Sequence, residues 1–296
     1  MRAAVLVLVG LLAVPAPAAA WGFTAHRFIT DQMIALLPPE LRPFFESRRA
    51  FIVERSIDPD LWRNVGWDEE PPNHFLDMDY RAFGPYPFAA LPREYDKAVE
   101  KFGKDVIDAQ GRVPWRTQEF AGKLRRAFED AARRPPAPYA LDNIAYFAAI
   151  LSHYVADAHV PLHAVVNYDG QLTNQRGLHA RWESELFERQ QASLRIAPAP
   201  ATPVADPRDF VFDVLLRSNR LAEGVLAADL EAAAGREAYD DGYYAAFAAA
   251  QGPLLEQRVN ETITAVASVI VGAWEAAGKP AVPLALSGTP RRIPRP

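Results

Sequence analysis

The sequence predicts an all-α protein, a single multi-helix domain of about 260 residues. Three observations predict it. Apolar residues recur at helical spacing in one segment after another. No convincing run of alternating β-branched residues interrupts them. The stretches between them are rich in proline and glycine, as helix-breaking connections are.

Residues 1–20 read as a secretory signal peptide. Met1 and Arg2 form a short positive region, Ala3 to Val14 is apolar, and Ala18-Ala19-Ala20 supplies an A-x-A cleavage site. The apolar stretch is shorter than the roughly 20 residues of a bilayer span. The expectation is an exported protein, periplasmic or secreted. Cleavage after Ala20 would make Trp21 the first residue, and an α-amine with a pKa near 8 becomes a neutral metal ligand once deprotonated.

Residues 21–278 are then the folded domain. From Thr24 to Leu37, Phe28, Ile29, Met33, Ile34, Leu36 and Leu37 keep helical spacing until Pro38-Pro39 stops the pattern. Further helices are expected over 93–103, 115–134, 139–158, 177–194, 208–234 and 253–277. The segments 58–72, 84–92, 133–138 and 196–207 read as loops, the last as a surface loop within the domain. Val259 to Trp274 is apolar enough for a buried core helix, while Asn260, Glu261, Thr262 and Thr264 argue against a membrane span. Residues 279–296 read as a proline-rich tail.

Composition narrows the chemistry. The chain has no cysteine, which in an exported protein excludes both disulfide staples and thiolate metal sites. Any metal must sit on His, Asp, Glu or backbone groups. A net charge of −5 gives no basic footprint for a polyanion.

The histidines are few and oddly placed. Of six, five stand at spacings a metal site needs. His26 is five residues beyond Trp21. His74 follows Asp58 and Asp60. His153 and Asp157 are i and i+4, on one helix face, and Pro161 then breaks the helix and redirects His163. His179 and Glu183 repeat the i, i+4 pairing. Any one such pair alone is more often a helix hydrogen bond than a metal site, Asp60 alone is more often a turn residue, and Phe75 and Tyr154 alone are more often core. His159 reads as holding the helix end. Together the set points to adjacent metals, because unrelated structural uses would scatter histidines along the chain.

From Trp21 to Glu183 the chain resembles the zinc-dependent phospholipases C and the S1/P1 nucleases. The resemblance rests on Trp21-Gly22 followed by His26, Asp60-Leu61-Trp62-Arg63, His74-Phe75-Leu76-Asp77, His153-x3-Asp157-x5-His163 and His179-x3-Glu183. It implies an all-helical fold and three zinc ions: one on the N-terminal Trp21, His26 and Asp157, a second on Asp60, His74, His153 and the bridging Asp157, a third on His163, His179 and Glu183. Asp60 is preferred to Asp58 because it stands in the family's D-x-x-R context. Asp60 and Asp157 are the expected catalytic residues. A water between two close zincs, its pKa lowered towards neutrality, would be the nucleophile on a phosphodiester.

Two substrates compete. Glu183, where the nucleases usually carry aspartate, the short Gly177 to Glu183 context, the missing glycine-asparagine loop after the HxPLH segment and the acidic charge favour a phospholipid, with Tyr80, Phe83, Tyr86 and Phe88 offering peripheral membrane contact. The close spacing of Trp21 to His26 and the His159-x-Pro161-Leu162-His163 wording favour single-stranded DNA or RNA, whose bases could stack on the same aromatics. The expectation leans to the phospholipid. A third reading, a non-enzymatic exported zinc-binding protein, would be favoured by a missing ligand, and none is missing. No obligate protein partner is evident.

Overall fold

The computed structural model describes residues 21–134 and 136–285. The signal-peptide expectation and the last part of the tail lie outside these residues. Among them every regular element is helical.

The chain enters through α1 (Phe23–Met33), tightens into a 3-10 turn at Ile34–Leu36 and stops before Pro38, as the spacing predicts. Three short helices follow, α2 (Arg42–Ser47), α3 (Arg49–Arg55) and α4 (Asp58–Asn64). The first two were not expected, because six or seven residues are too few to display a period. The third corrects the reading of 58–72 as a loop: Pro59 sits in the first turn of α4, where a proline costs no hydrogen bond. Beyond α5 (Tyr95–Phe102) and an unexpected α6 (Lys104–Gln110), α7 (Val113–Ala132) and α8 (Ala140–Asp157) pack along each other.

The centre of the domain is α8. From Ala148 to Asp157 every residue is buried, so this helix is covered all round rather than amphipathic. Two long helices close the molecule. An Asp206 cap, accepting from the Asp209 amide at 3.0 Å, starts α11 (Pro207–Ala233). In α12 (Asp241–Ala276) the cap is Asp240, which accepts from the Tyr243 amide at 2.8 Å. This last helix begins a dozen residues before the expected start at 253. Its first turns, Ala245-Ala246-Phe247-Ala248-Ala249-Ala250, have high helix propensity, and the helix runs on through Pro253. The buried run Val259, Ile263, Val266, Val269, Ile270 and Trp274 makes its second half the expected core helix. No helix among the described residues is long and apolar enough to cross a membrane.

The proline-rich segment 195–205 is bound along α12. Glu256, Asn260, Thr264 and Ser268 recur every four residues on one face of that helix. Glu256 accepts from the Arg195 amide at 2.8 Å, Asn260 from the Ala197 amide at 2.7 Å, and the Ser268 hydroxyl from the Thr202 amide at 3.0 Å, while Thr264 donates to the Ala199 carbonyl at 3.0 Å. An extended segment with no ladder of its own thus satisfies its backbone on helix side chains. The aromatic loop is also more buried than expected: Phe83 and Phe88 belong to the core, and of the four aromatics only Tyr86 is largely exposed, at 40%.

At Gly272 a Cβ would lie 2.0 Å from the Val204 carbonyl oxygen. Gly272→Ala is therefore expected to lift the strap and cost about 1–3 kcal/mol in urea unfolding; an unchanged midpoint would show that the strap yields without cost.

Candidate metal centre

The C-terminal half of α8 carries His153 and Asp157 one turn apart, both fully buried. Val160 is extended, and Pro161 opens a 3-10 turn (Pro161–Ala164) that turns His163 back towards α8, as the proline predicts. A further departure lies at 177–194. The expected single helix is a short α9 (Leu178–Ala180), a π-helical turn (Arg181–Leu186) and α10 (Phe187–Gln190). Single π-turns inside helices are rare and gather at functional sites. This one carries Glu183, and Arg181 braces it: the guanidinium donates to Asp229 of α11 at 2.9 Å and lies 3.8 Å from the Tyr239 ring centre.

The structure brings together the eight side chains that the sequence singles out. Three groups of buried ligand atoms result, each with its atoms within 4.8 Å of one another: His26, Asp60 and His153; His74, His153 and Asp157; His163, His179 and Glu183. His153 belongs to the first two, and Asp157, a member of the second, also lies beside His26 of the first. Asp157 Oδ2 lies 3.0 Å from His74 Nδ1 and 3.3 Å from His153 Nε2, and its Oδ1 lies 3.3 Å from His26 Nε2 without hydrogen-bond alignment. The His26 and His153 rings stack at 3.9 Å. Asp60 Oδ1 is 3.9 Å from His74 Nδ1. In the third group Glu183 Oε2 lies 2.8 Å from His179 Nε2 and 3.5 Å from His163 Nε2. The groups are neighbours through the backbone, since His163 Nδ1 donates to the His74 carbonyl at 2.7 Å and the Leu76 amide donates to the His163 carbonyl at 3.0 Å. Distances divide the first two groups differently from the resemblance: His153 rather than Asp157 is the residue they share, and Asp60 falls with His26.

Of the two acids before His74, Asp60 is the one inside the cluster. Asp58 turns towards α3 and pairs with Arg55 at 3.3 Å. Trp21 is fully buried against Trp182 and Phe187, and its indole donates to the Ala156 carbonyl at 2.8 Å, which holds residue 21 beside Asp157. The expected α-amine ligand depends on cleavage after Ala20, outside the described residues.

The donor set fits metal ions. Buried polar atoms are normally hydrogen-bonded, yet both nitrogens of His26, Asp157 Oδ1, His163 Nε2 and both oxygens of Glu183 have no such partner among the described residues. No lysine or arginine pairs with Asp157 or Glu183 among them either. Burial drives the Glu183 pKa up to about 8 and, with His153 adding to it, the His26 pKa down to about 4; burial also lowers His74. Burial would lower His153 too, but Asp157 outweighs it and raises that imidazole to about 9. Asp157 remains ionised, the His153 interaction overcoming its own burial. Cations would supply the missing partners, and imidazole and carboxylate donors without sulfur suit divalent transition metals.

Sequence reasoning missed Glu70. It is buried behind His74, where its Oε2 accepts from Asn73 Nδ2 and Arg116 Nη2, both at 3.0 Å, and its Oε1 from the Tyr154 hydroxyl. Glu70 and His74 share the spacing of the other pairs, with the acid first and two prolines between them. Compared with known families and with curated proteins, the chain matches no family model and no curated protein.

Asp77, three residues beyond His74, is raised to about 8 by burial, with Asp79 adding to it. An acid raised on folding leaves the folded state holding the extra proton, so stability falls as pH climbs from the unfolded value of 3.8 to about 8. Asp77→Asn is expected to make that decline shallower in the metal-free protein. An unaltered slope of unfolding free energy against pH would remove Asp77 as its source.

Proposed function

We propose that the chain is a zinc-dependent hydrolase of phosphate esters, acting on phospholipids in the manner of a phospholipase C. The observation that carries it is the gathering of eight buried His, Asp and Glu side chains into three groups of nitrogen and oxygen donors. Zinc bound there supplies Lewis acidity to a phosphoryl group and lowers the pKa of water towards neutrality. His26 and Asp157, joined by the Trp21 amine after cleavage, would hold one ion. Asp60, His74, His153 and Asp157 would hold a second, and His163, His179 and Glu183 a third.

The chain's own residues prepare this site. The Ser56 carbonyl accepts a hydrogen bond from His153 Nδ1 at 2.8 Å, and the His74 carbonyl accepts one from His163 Nδ1, so each ring turns its Nε2 towards the cluster. Asp157 keeps its charge and offers both oxygens. The ligands are buried, and the water-poor surroundings strengthen every charge interaction within.

Exposed apolar residues close in sequence to the ligands support an amphiphilic substrate: Leu61, Val65 and Trp67 follow Asp60, and Tyr168 and Leu172 precede His179. Cleavage of single-stranded DNA or RNA is the second reading, favoured by Tyr168, whose half-exposed ring lies 5.9 Å from that of His179, where a base could stack.

Metal analysis is expected to find about three zinc ions per chain, and a folded, metal-free wild type would sink the proposal. Stripping the metal with a chelator should lower the melting temperature by roughly 5–10 °C, because the ligands are tied together only in the folded chain. Asp157→Asn should lose zinc along with activity. With purified enzyme, phosphocholine release from phosphatidylcholine without nucleotide release from single-stranded DNA is the expected result; the reverse establishes the nuclease.

A further inference from the structure

Three histidines of the cluster have one ring nitrogen facing its centre and the other facing away. For His153 and His163 the outward nitrogen is Nδ1, and a backbone carbonyl receives its proton. His74 is turned the other way round. Its Nδ1 faces the cluster, 3.0 Å from both Asp157 Oδ2 and His153 Nε2. Its outward Nε2 is buried, has no hydrogen-bond partner among the described residues, and lies 3.7 Å from Glu70 Oε1.

We propose that Glu70 is the positioning residue of His74: its carboxylate fixes the imidazole proton on Nε2 and so leaves the Nδ1 lone pair to the cluster. The inference rests on the zinc reading above for its consequence, but not for its geometry. A carboxylate behind a metal-bound imidazole sets the tautomer and raises the basicity of the ligating nitrogen. Without Glu70, Asp157 and Asp60 would compete for the proton at Nδ1, where it blocks ligation. Glu70 is well placed to win. Asn73, Arg116 and the Tyr154 hydroxyl all donate to it, which fixes its orientation and works against the upward push of burial on its pKa, and Tyr154 neighbours His153 on α8. Of the acceptors behind these three rings it is the one anion; the other two are carbonyls.

The test uses the full chain with ¹⁵N-labelled histidine and two variants, Glu70→Gln and Glu70→Asp, with Glu119→Gln as control. Glu119 also pairs with Arg116, at 2.9 Å, but is half-exposed. In the metal-free wild type the His74 signals should show the Nε2–H tautomer, and Glu70→Gln should shift it towards Nδ1–H. Zinc affinity, read by competition with a chromophoric chelator, should fall about 10- to 100-fold in Glu70→Gln, fall less in Glu70→Asp, which keeps the charge at shorter reach, and stay unchanged in the control. A wild-type tautomer and affinity within twofold in both Glu70 variants would overturn the inference. If Glu70→Gln does not fold, Glu70→Asp decides by the same two readouts. A wild type that binds no zinc refutes the hydrolase reading, while the metal-free tautomer still decides the role of Glu70.

Discussion

A carboxylate buried at the covered end of a helix, surrounded by imidazoles and with no arginine or lysine among the described residues to neutralise it, is the constraint around which this molecule is arranged. Asp157 ends α8, whose second half is buried on every side, and α1, α4, the 3-10 turn that Pro161 opens and the π-helical turn each bring a side chain to its neighbourhood. Burying a charge this way is costly unless it is compensated. His153 offsets part of that cost by taking a proton in the metal-free state, at the expense of its own lone pair. The fold is thus built for a positive charge that its own side chains supply only by spending a ligand.

The backbone prepares the cluster as much as the side chains do. Ser56 and His74 each lend a carbonyl to a ring from another segment, so the orientations of His153 and His163 are set before any ion arrives. The exchange between His163 and the 74–76 segment also makes the second and third groups one construction. Further out, Arg181, Asp229 and Tyr243 clamp the π-helical turn to α11 and α12, and the indole of Trp21 pins the segment ahead of α1 to the last turn of α8.

Much of this was legible in the sequence, for physical reasons. The long helices α7, α8 and α11 display several turns of period each, and the i, i+4 spacings of His153 with Asp157 and His179 with Glu183 announce shared faces whatever the fold. Asp60 could be chosen over Asp58 only from its local context; the fold supplies the reason, since Asp58 turns to Arg55. Other features were hidden. Short helices such as α2, α3 and α6 carry too little period to show. Pro253 looked like a beginning because proline usually marks one, and the alanine-rich turns before it are not amphipathic enough to announce a helix. The Tyr80 to Phe88 loop reads as a surface feature until the core takes Phe83 and Phe88. Glu70 escaped because its partner lies across two prolines, and only the folded chain shows Tyr154 and Arg116 gathering around it.

The π-helical turn has a consequence for how this protein can vary. An α-helix advances about 100° per residue, and a π-turn accommodates one residue more than the α-helix would. Removing any one residue between Arg181 and Leu186 would let the segment relax to ordinary α-helix and rotate everything on one side of the cut by about that angle relative to the other. Glu183 and His179 could then no longer both look at His163, or else Trp182 and Phe187 would leave their places beside Trp21. Substitutions here can be absorbed singly, but a change in length cannot: the spacing of this segment is a counted quantity, fixed by the need to face two ways at once.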